Sequence, residues 1–147
     1  MGDRTDVFLT VLTEHAKETL KVCGDIPETM WENDTTTCYY FTECNYGNLD
    51  CEEQLKERGI PYDKEWGEGG DYSSGTEYFR FTEEGEAVLK ELYDNCLNPP
   101  LEKLLLVINE PEKLKEYILA FEAQVSVLPW DNQFKYSRIY LARQLVS

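Results

Sequence analysis

Apolar and polar positions alternate with two different periods along this chain, and the changes of period predict its elements. Residues 6–12, DVFLTVL, put Val7, Leu9 and Val11 on one side and Phe8, Thr10 and Leu12 on the other. That suits a strand buried on both faces; helical spacing also fits, and the β-branched content decides for a strand. Thr13 is placed to cap a helix over 14–23, with Ala16, Leu20 and Cys23 on one face and Gly24 beyond its end. His15 falls in the first turn and reads as a surface or capping residue. Residues 25–34, DIPETMWEND, read as an acidic connector with Met30 and Trp31 folded back on the body. Residues 35–44, TTTCYYFTEC, are the clearest strand, with Thr37, Tyr39 and Phe41 on one face and Cys38, Tyr40 and Thr42 on the other.

Asn48 is a candidate cap for a helix over 49–58, which turns Cys51 and Leu55 inward and Glu52, Glu53 and Glu57 to water. Gly59 stops that helix and Pro61 prevents its return. Two strands follow, near 60–66 and 76–82, joined by a loop rich in glycine and acid. Phe79 and Phe81 point one way from the second strand, Tyr78 and Arg80 the other. Thr82 is placed to cap a helix through 83–95 that carries Val88, Leu89, Leu92 and Cys96. After Pro99-Pro100, Leu101, Leu104, Leu105 and Ile108 recur at helical offsets. Asn109 and Glu112 form a capping box around Pro111, opening a helix with Leu114, Tyr117, Ile118 and Phe121 on its buried stripe. A short extended run at 125–128 leads to a last helix capped by Asp131 or Asn132, aligning Phe134, Arg138, Leu141 and Leu145; a strand over 136–145 is the alternative.

The expected fold class is therefore α+β: a small β-α-β-α-β-β sheet core covered by helices, with a mostly helical C-terminal third. Residues 1–147 read as one domain, with 1–98 an acidic α+β core and 99–147 a helical cap packed on it. No run approaches the roughly 18 apolar residues of a membrane span, and MGDRTDVFLT lacks the pattern of a signal peptide. The expected setting is the cytoplasm.

Charge adds a direction. The 29 acidic and 14 basic residues give a net charge of −15. Residues 1–24 carry −1, residues 25–94 carry −14, and residues 95–147 are neutral. Such a chain repels nucleic acid and anionic membranes and attracts basic protein faces. The expected working surface is the loop and its two strands. Asp63, Glu65, Glu68, Asp71 and Glu77 mix there with Trp66, Tyr72 and Tyr78, and aromatic residues are common interface anchors. The carboxylates are read as recognising a basic, nucleic-acid-binding protein, with imitation of a phosphate array as the sharper form of that reading.

Candidate chemistry is thin by comparison. The glycine loop has no phosphate-binding lysine pattern, and its acids repel phosphate. Asp63, Glu65, Glu68 and Asp71 are out of register for a calcium loop. Cys23, Cys38, Cys44, Cys51 and Cys96 show no metal-ligand spacing and read as reduced thiols, Cys38 and Cys44 sharing one strand face. No catalytic residue, metal or cofactor is expected. A metal-assisted hydrolase using clustered carboxylates, and a self-associating structural protein, are the alternative readings. Oligomeric state is left open.

Several phrases occur together: Tyr46-Gly47-Asn48-Leu49, Gly59-Ile60-Pro61-Tyr62-Asp63, Trp66-Gly67, Gly75-Thr76-Glu77 and Leu128-Pro129-Trp130-Asp131-Asn132-Gln133. In these the chain resembles a family of small acidic proteins carried by bacteriophages, prophages and plasmids, over most of residues 35–147. The resemblance implies an accessory protein that binds host factors, defence machinery included, in the cytoplasm of a bacterial host. It carries no catalytic residues to this chain.

Overall fold

A computed structural model describes residues 4–24, 28–70 and 72–146. Six antiparallel strands form one sheet in the order β2-β3-β1-β4-β5-β6. They are β1 (Arg4–Leu12), β2 (Glu28–Glu32), β3 (Thr36–Asn45), β4 (Tyr62–Trp66), β5 (Gly75–Phe81) and β6 (Ala87–Tyr93). The helices are α1 (Ala16–Cys23), α2 (Glu52–Glu57), α3 (Leu101–Val107), α4 (Pro111–Val125) and α5 (Gln133–Leu145). The α+β class and the helical C-terminal third are as the pattern predicts. Among the described residues no helix is long and apolar enough to cross a membrane.

Strand β1 lies at the centre, paired with β3 on one side and β4 on the other. Its alternation sorts the sheet into two faces. Val7, Leu9 and Val11 point to the core face, together with Tyr39, Tyr62, Trp66, Phe79 and Phe81. Leu49, Cys51 and Leu55, around and within α2, and Ala16 of α1 cover that face, and Tyr136 and Tyr140 of α5 close its lower end against Phe81. Phe8, Tyr40, Asp63, Glu65, Tyr78 and Arg80 point to the other face.

Several sequence expectations are corrected. Residues 83–95 are not a helix: 87–93 form edge strand β6, paired along its length with β5. The Thr82 hydroxyl accepts the Glu86 amide within the connecting turn, and Gly85 takes φ +80° there against Ile139. The connector contains strand β2, and Met30 and Trp31 are about half exposed rather than folded back; residues 25–27 lie outside the described part. Helix α2 begins at Glu52 without an Asn48 cap, and the Leu49 amide instead donates to Glu52 Oε2 at 2.6 Å. The Thr13 hydroxyl caps nothing; it donates to the Asn33 carbonyl, and a 3-10 turn over Thr13–His15 precedes α1. Leu20 of α1 is 40% exposed, and its place on the buried face is taken by Thr19. A bulge between Thr5 and Val7 gives β3 one extra residue, so Cys38 and Cys44 fall on opposite faces.

His15 is buried, not superficial, with its ring 5.2 Å from that of Phe134. The last helix buries Gln133 and Ser137, while Arg138 and Leu145 are exposed. Gln133 is held because Phe81 runs past the end of β4: its side chain accepts the Phe81 N–H at 2.8 Å and donates to the Phe81 carbonyl at 2.9 Å. The side-chain amide thus stands in for a neighbouring strand. Helices α3 and α4 bury no residue completely, α4 has no side-chain cap, and Leu101, Leu105, Leu106, Ile108, Ile118 and Leu119 remain exposed.

Candidate functional site

The antiparallel register brings three charged residues side by side on the core face. Lys64 of β4 stands opposite Glu77 of β5, which stands opposite Glu91 of β6. This polar row interrupts an otherwise apolar face. The row below it is Tyr62, Phe79 and Leu89; the row above is Trp66, Gly75 and Tyr93.

Helix α2 explains how a lysine is tolerated inside. The Lys64 ammonium reaches Glu52 Oε1 at 2.7 Å and Asn48 Oδ1 at 3.4 Å, with both side chains of the ion pair largely buried. It also lies 5.7 Å from the centre of the Trp66 ring, within cation–π range. Glu52, expected to face water, is therefore turned inward as the partner of Lys64. Glu77 is 9% exposed and accepts a hydrogen bond from the Tyr62 hydroxyl at 2.5 Å. Burial, and then the Glu77 carboxylate, push the Tyr62 phenol far above its usual range, so it stays a donor.

Above the charged row the glycine loop folds down rather than outward. The Trp66 indole N–H donates to the Ser73 carbonyl at 2.9 Å, and the Asp94 amide donates to the Ser74 carbonyl at 3.0 Å. Two glycines make room for the indole. A Cβ at Gly47 would lie 2.7 Å from the Trp66 Cβ, and one at Gly75 would lie 2.8 Å from the Trp66 ring. Gly47 also adopts φ +70°, which suits glycine. The Tyr46 and Tyr72 rings lie 6.1 Å apart and tilted by 55°, and Tyr93 meets Trp66 edge-on at 6.0 Å. Together these side chains border a cavity of about 360 Å³ that is open to solvent, with Lys64, Glu77 and Glu91 along the sheet and Tyr46, Trp66, Tyr72 and Tyr93 around them. Its chemistry is that of an anionic, aromatic receptacle.

The residues expected to form one working surface separate here. Trp66, Tyr72 and Glu77 line the cavity. Asp63, Glu65 and Tyr78 project from the opposite face, Glu68 is exposed in the loop, and Asp71 lies outside the described residues. Asp63 is committed to Arg80, 2.7 Å away. Burial pulls the Asp63 carboxyl above its usual range while Arg80 opposes that shift. The Arg80 guanidinium also sits 3.8 Å over the Trp130 ring and donates to the Leu128, Tyr62 and Phe79 carbonyls, pinning the 126–130 segment to the sheet. The same opposite face carries a stacked Phe8–Tyr40 pair, with the Tyr40 hydroxyl donating to Asp6 at 2.6 Å, and exposed Glu28, Trp31 and Glu65.

Sequence reasoning missed Lys64, Glu91, Tyr93, Tyr46 and Asn48. The signal for Glu91 and Tyr93 was their spacing of two, which is meaningful only if 87–93 is a strand. Among the described residues no three histidine, cysteine, aspartate or glutamate side chains are grouped to hold a metal ion. The chain matches no protein-family model, no curated protein sequence and no solved structure.

Proposed function

We propose that this chain is a binding protein for a basic polypeptide, and that the cavity receives one arginine or lysine side chain of that partner. The observation that carries the reading is the direct cross-strand opposition of Glu77 and Glu91 beneath aromatic walls. Like charges directly opposite in a sheet oppose folding, whereas a cation between them relieves the repulsion and gains the faces of the rings. Exposed Glu68 of the loop and the exposed acids of the opposite sheet face, within a segment of net −14, supply long-range attraction for the rest of such a partner. A nucleic-acid-binding host protein met by a mobile-element accessory protein has the required charge, and competition by nucleic acid is the outcome specific to phosphate mimicry.

The test uses acetyl-Gly-Arg-Gly-amide, with the Gln analogue as control, and follows the Trp66 indole signal by NMR. Saturable binding of the arginine peptide, weakened about tenfold by Glu77→Gln, is expected. A Trp66 response that is linear in concentration and identical for the glutamine peptide would sink the proposal. For a longer arginine-rich peptide, Glu65→Lys with Glu68→Lys slows association at low salt.

A second reading, self-association, is favoured by the exposed leucines and isoleucines of α3 and α4. They belong to the neutral stretch 95–147, so two copies can meet there without opposing the −14 segment. Light scattering across a concentration series separates the two, since only self-association makes the mass rise.

A further inference from the structure

Five thiols are spread over the chain, and two of them meet. Cys23 at the end of α1 and Cys51 just before α2 stand with their sulfurs 2.6 Å apart, although 28 residues separate them in sequence. Cys23 is half-buried and Cys51 buried. Cys38 is buried on the other side of the sheet, Cys44 is half-buried on β3 with its thiol donating to the Thr42 carbonyl, and Cys96 is exposed after β6. The pair therefore has what the other cysteines lack: a partner sulfur in contact and one member within reach of solvent. Thiol–disulfide exchange needs an attacking thiolate with access and a second thiol able to displace the first leaving group.

We propose that Cys23 and Cys51 are a redox-active dithiol that closes to an intramolecular disulfide by exchange with a small-molecule or protein disulfide. The Cys23 thiolate attacks one sulfur of the donor, forming a mixed disulfide and expelling one donor thiolate. The Cys51 thiolate then attacks the Cys23 sulfur and expels the second. The two protein thiols give up two electrons and two protons, and the donor disulfide is reduced to two thiols. The hydrogen bond from Cys23 draws the Cys51 thiol below its usual range, while burial pushes Cys44 up to about 11 and raises Cys38. That hydrogen bond belongs to the reduced pair and is lost once the Cys23 sulfur carries the donor; resolution then falls to Cys51 because its sulfur already lies against that of Cys23.

The closed form has a consequence for the cavity. Cys51 directly precedes Glu52, the partner of Lys64, and Tyr46, Gly47 and Asn48 form the adjoining wall. A covalent tie from α1 to Cys51 holds this wall in place.

The experiment uses the full chain carrying Cys96→Ser, which prevents cross-linking between copies. Equilibration with oxidised glutathione followed by alkylation and peptide mapping is expected to find Cys23 joined to Cys51, with Cys38 and Cys44 alkylated. Closing this loop is expected to raise Tm by on the order of 5 °C. Amide exchange over 46–52 is expected to slow by about tenfold, relative to the reduced protein. Both responses disappear in Cys51→Ser. Full alkylation of Cys23 and Cys51 after oxidation, or a stable glutathione adduct on Cys23 that Cys51 does not resolve, overturns the proposal. So does a mapped bond that leaves Tm and exchange at 46–52 unchanged. None of these readouts uses a basic peptide, so they stand apart from the binding reading.

Discussion

Glu77 and Glu91 face each other across β5 and β6, on the core side of the sheet. Replacing Glu91, the exposed member, by glutamine removes the repulsion and keeps the shape. Glu91→Gln is expected to be more stable than the wild type by about 0.2–1 kcal/mol in urea unfolding, while binding the arginine peptide less tightly. A variant that is both less stable and unimpaired in binding contradicts the role given to this pair.

The Lys64–Glu52 pair predicts an asymmetry between its two halves. Lys64 is almost fully enclosed, whereas Glu52 retains some contact with water. Glu52→Gln strands a buried ammonium and is expected to cost on the order of 3 kcal/mol. Lys64→Met leaves a carboxylate that can turn outward, and its cost is expected to be smaller. A double-mutant cycle with chemical denaturation measures both; equal costs would show that Glu52 is as trapped as Lys64.

Gln133 holds the open end of β5 through both polar groups of Phe81. Gln133→Ala leaves a buried amide and carbonyl without partners and is expected to destabilise by about 1–3 kcal/mol. Hydrogen exchange localises the effect: the Phe81 amide should lose its protection first.

His15 makes stability depend on pH. Burial lowers its pKa from 6.5, partly opposed by Glu18 and then Glu14, and among the described residues its Nδ1 has no hydrogen-bond partner. With the folded value below the unfolded one, the unfolded chain takes up the proton first. Stability from neutral His15 is therefore complete above pH 6.5 and declines as pH falls from there toward the folded pKa. His15→Asn removes that slope. The difference between the two proteins, measured in urea at pH 7.5 and at lower pH, isolates His15 from the general relief of acidic self-repulsion.

The strands that the chain announces are those whose own residues favour extension. The alternation of Val7, Leu9 and Val11, and the β-branched and aromatic run at 35–44, survive into the sheet because local preference and tertiary pairing agree. Strand β6 was hidden because AVLKELY is built of good helix formers. The turn at Thr82–Glu86 and pairing along β5 override that preference, as tertiary context does for weak propensities. This one misreading concealed most of the cavity, since Glu91 and Tyr93 share a face with Glu77 only in a strand. Lys64 was hidden differently: its burial depends on Glu52, twelve residues earlier and on another element. Trp66, Tyr72 and Glu77 were legible as candidates because aromatic and acidic residues cluster there, although the loop covers the indole instead of displaying it.

The two borders of the sheet differ in charge. Strand β2 carries Glu28 and Glu32 with every residue exposed, whereas β6 sets Lys90 beside Glu91 and its lysine donates to the Ala123 and Ser126 carbonyls. A sheet border is an unfinished ladder that invites another strand, and charge is a common way of refusing one. Two copies of this chain meeting at their β2 borders bring like charges together, which opposes growth of the sheet beyond its six strands.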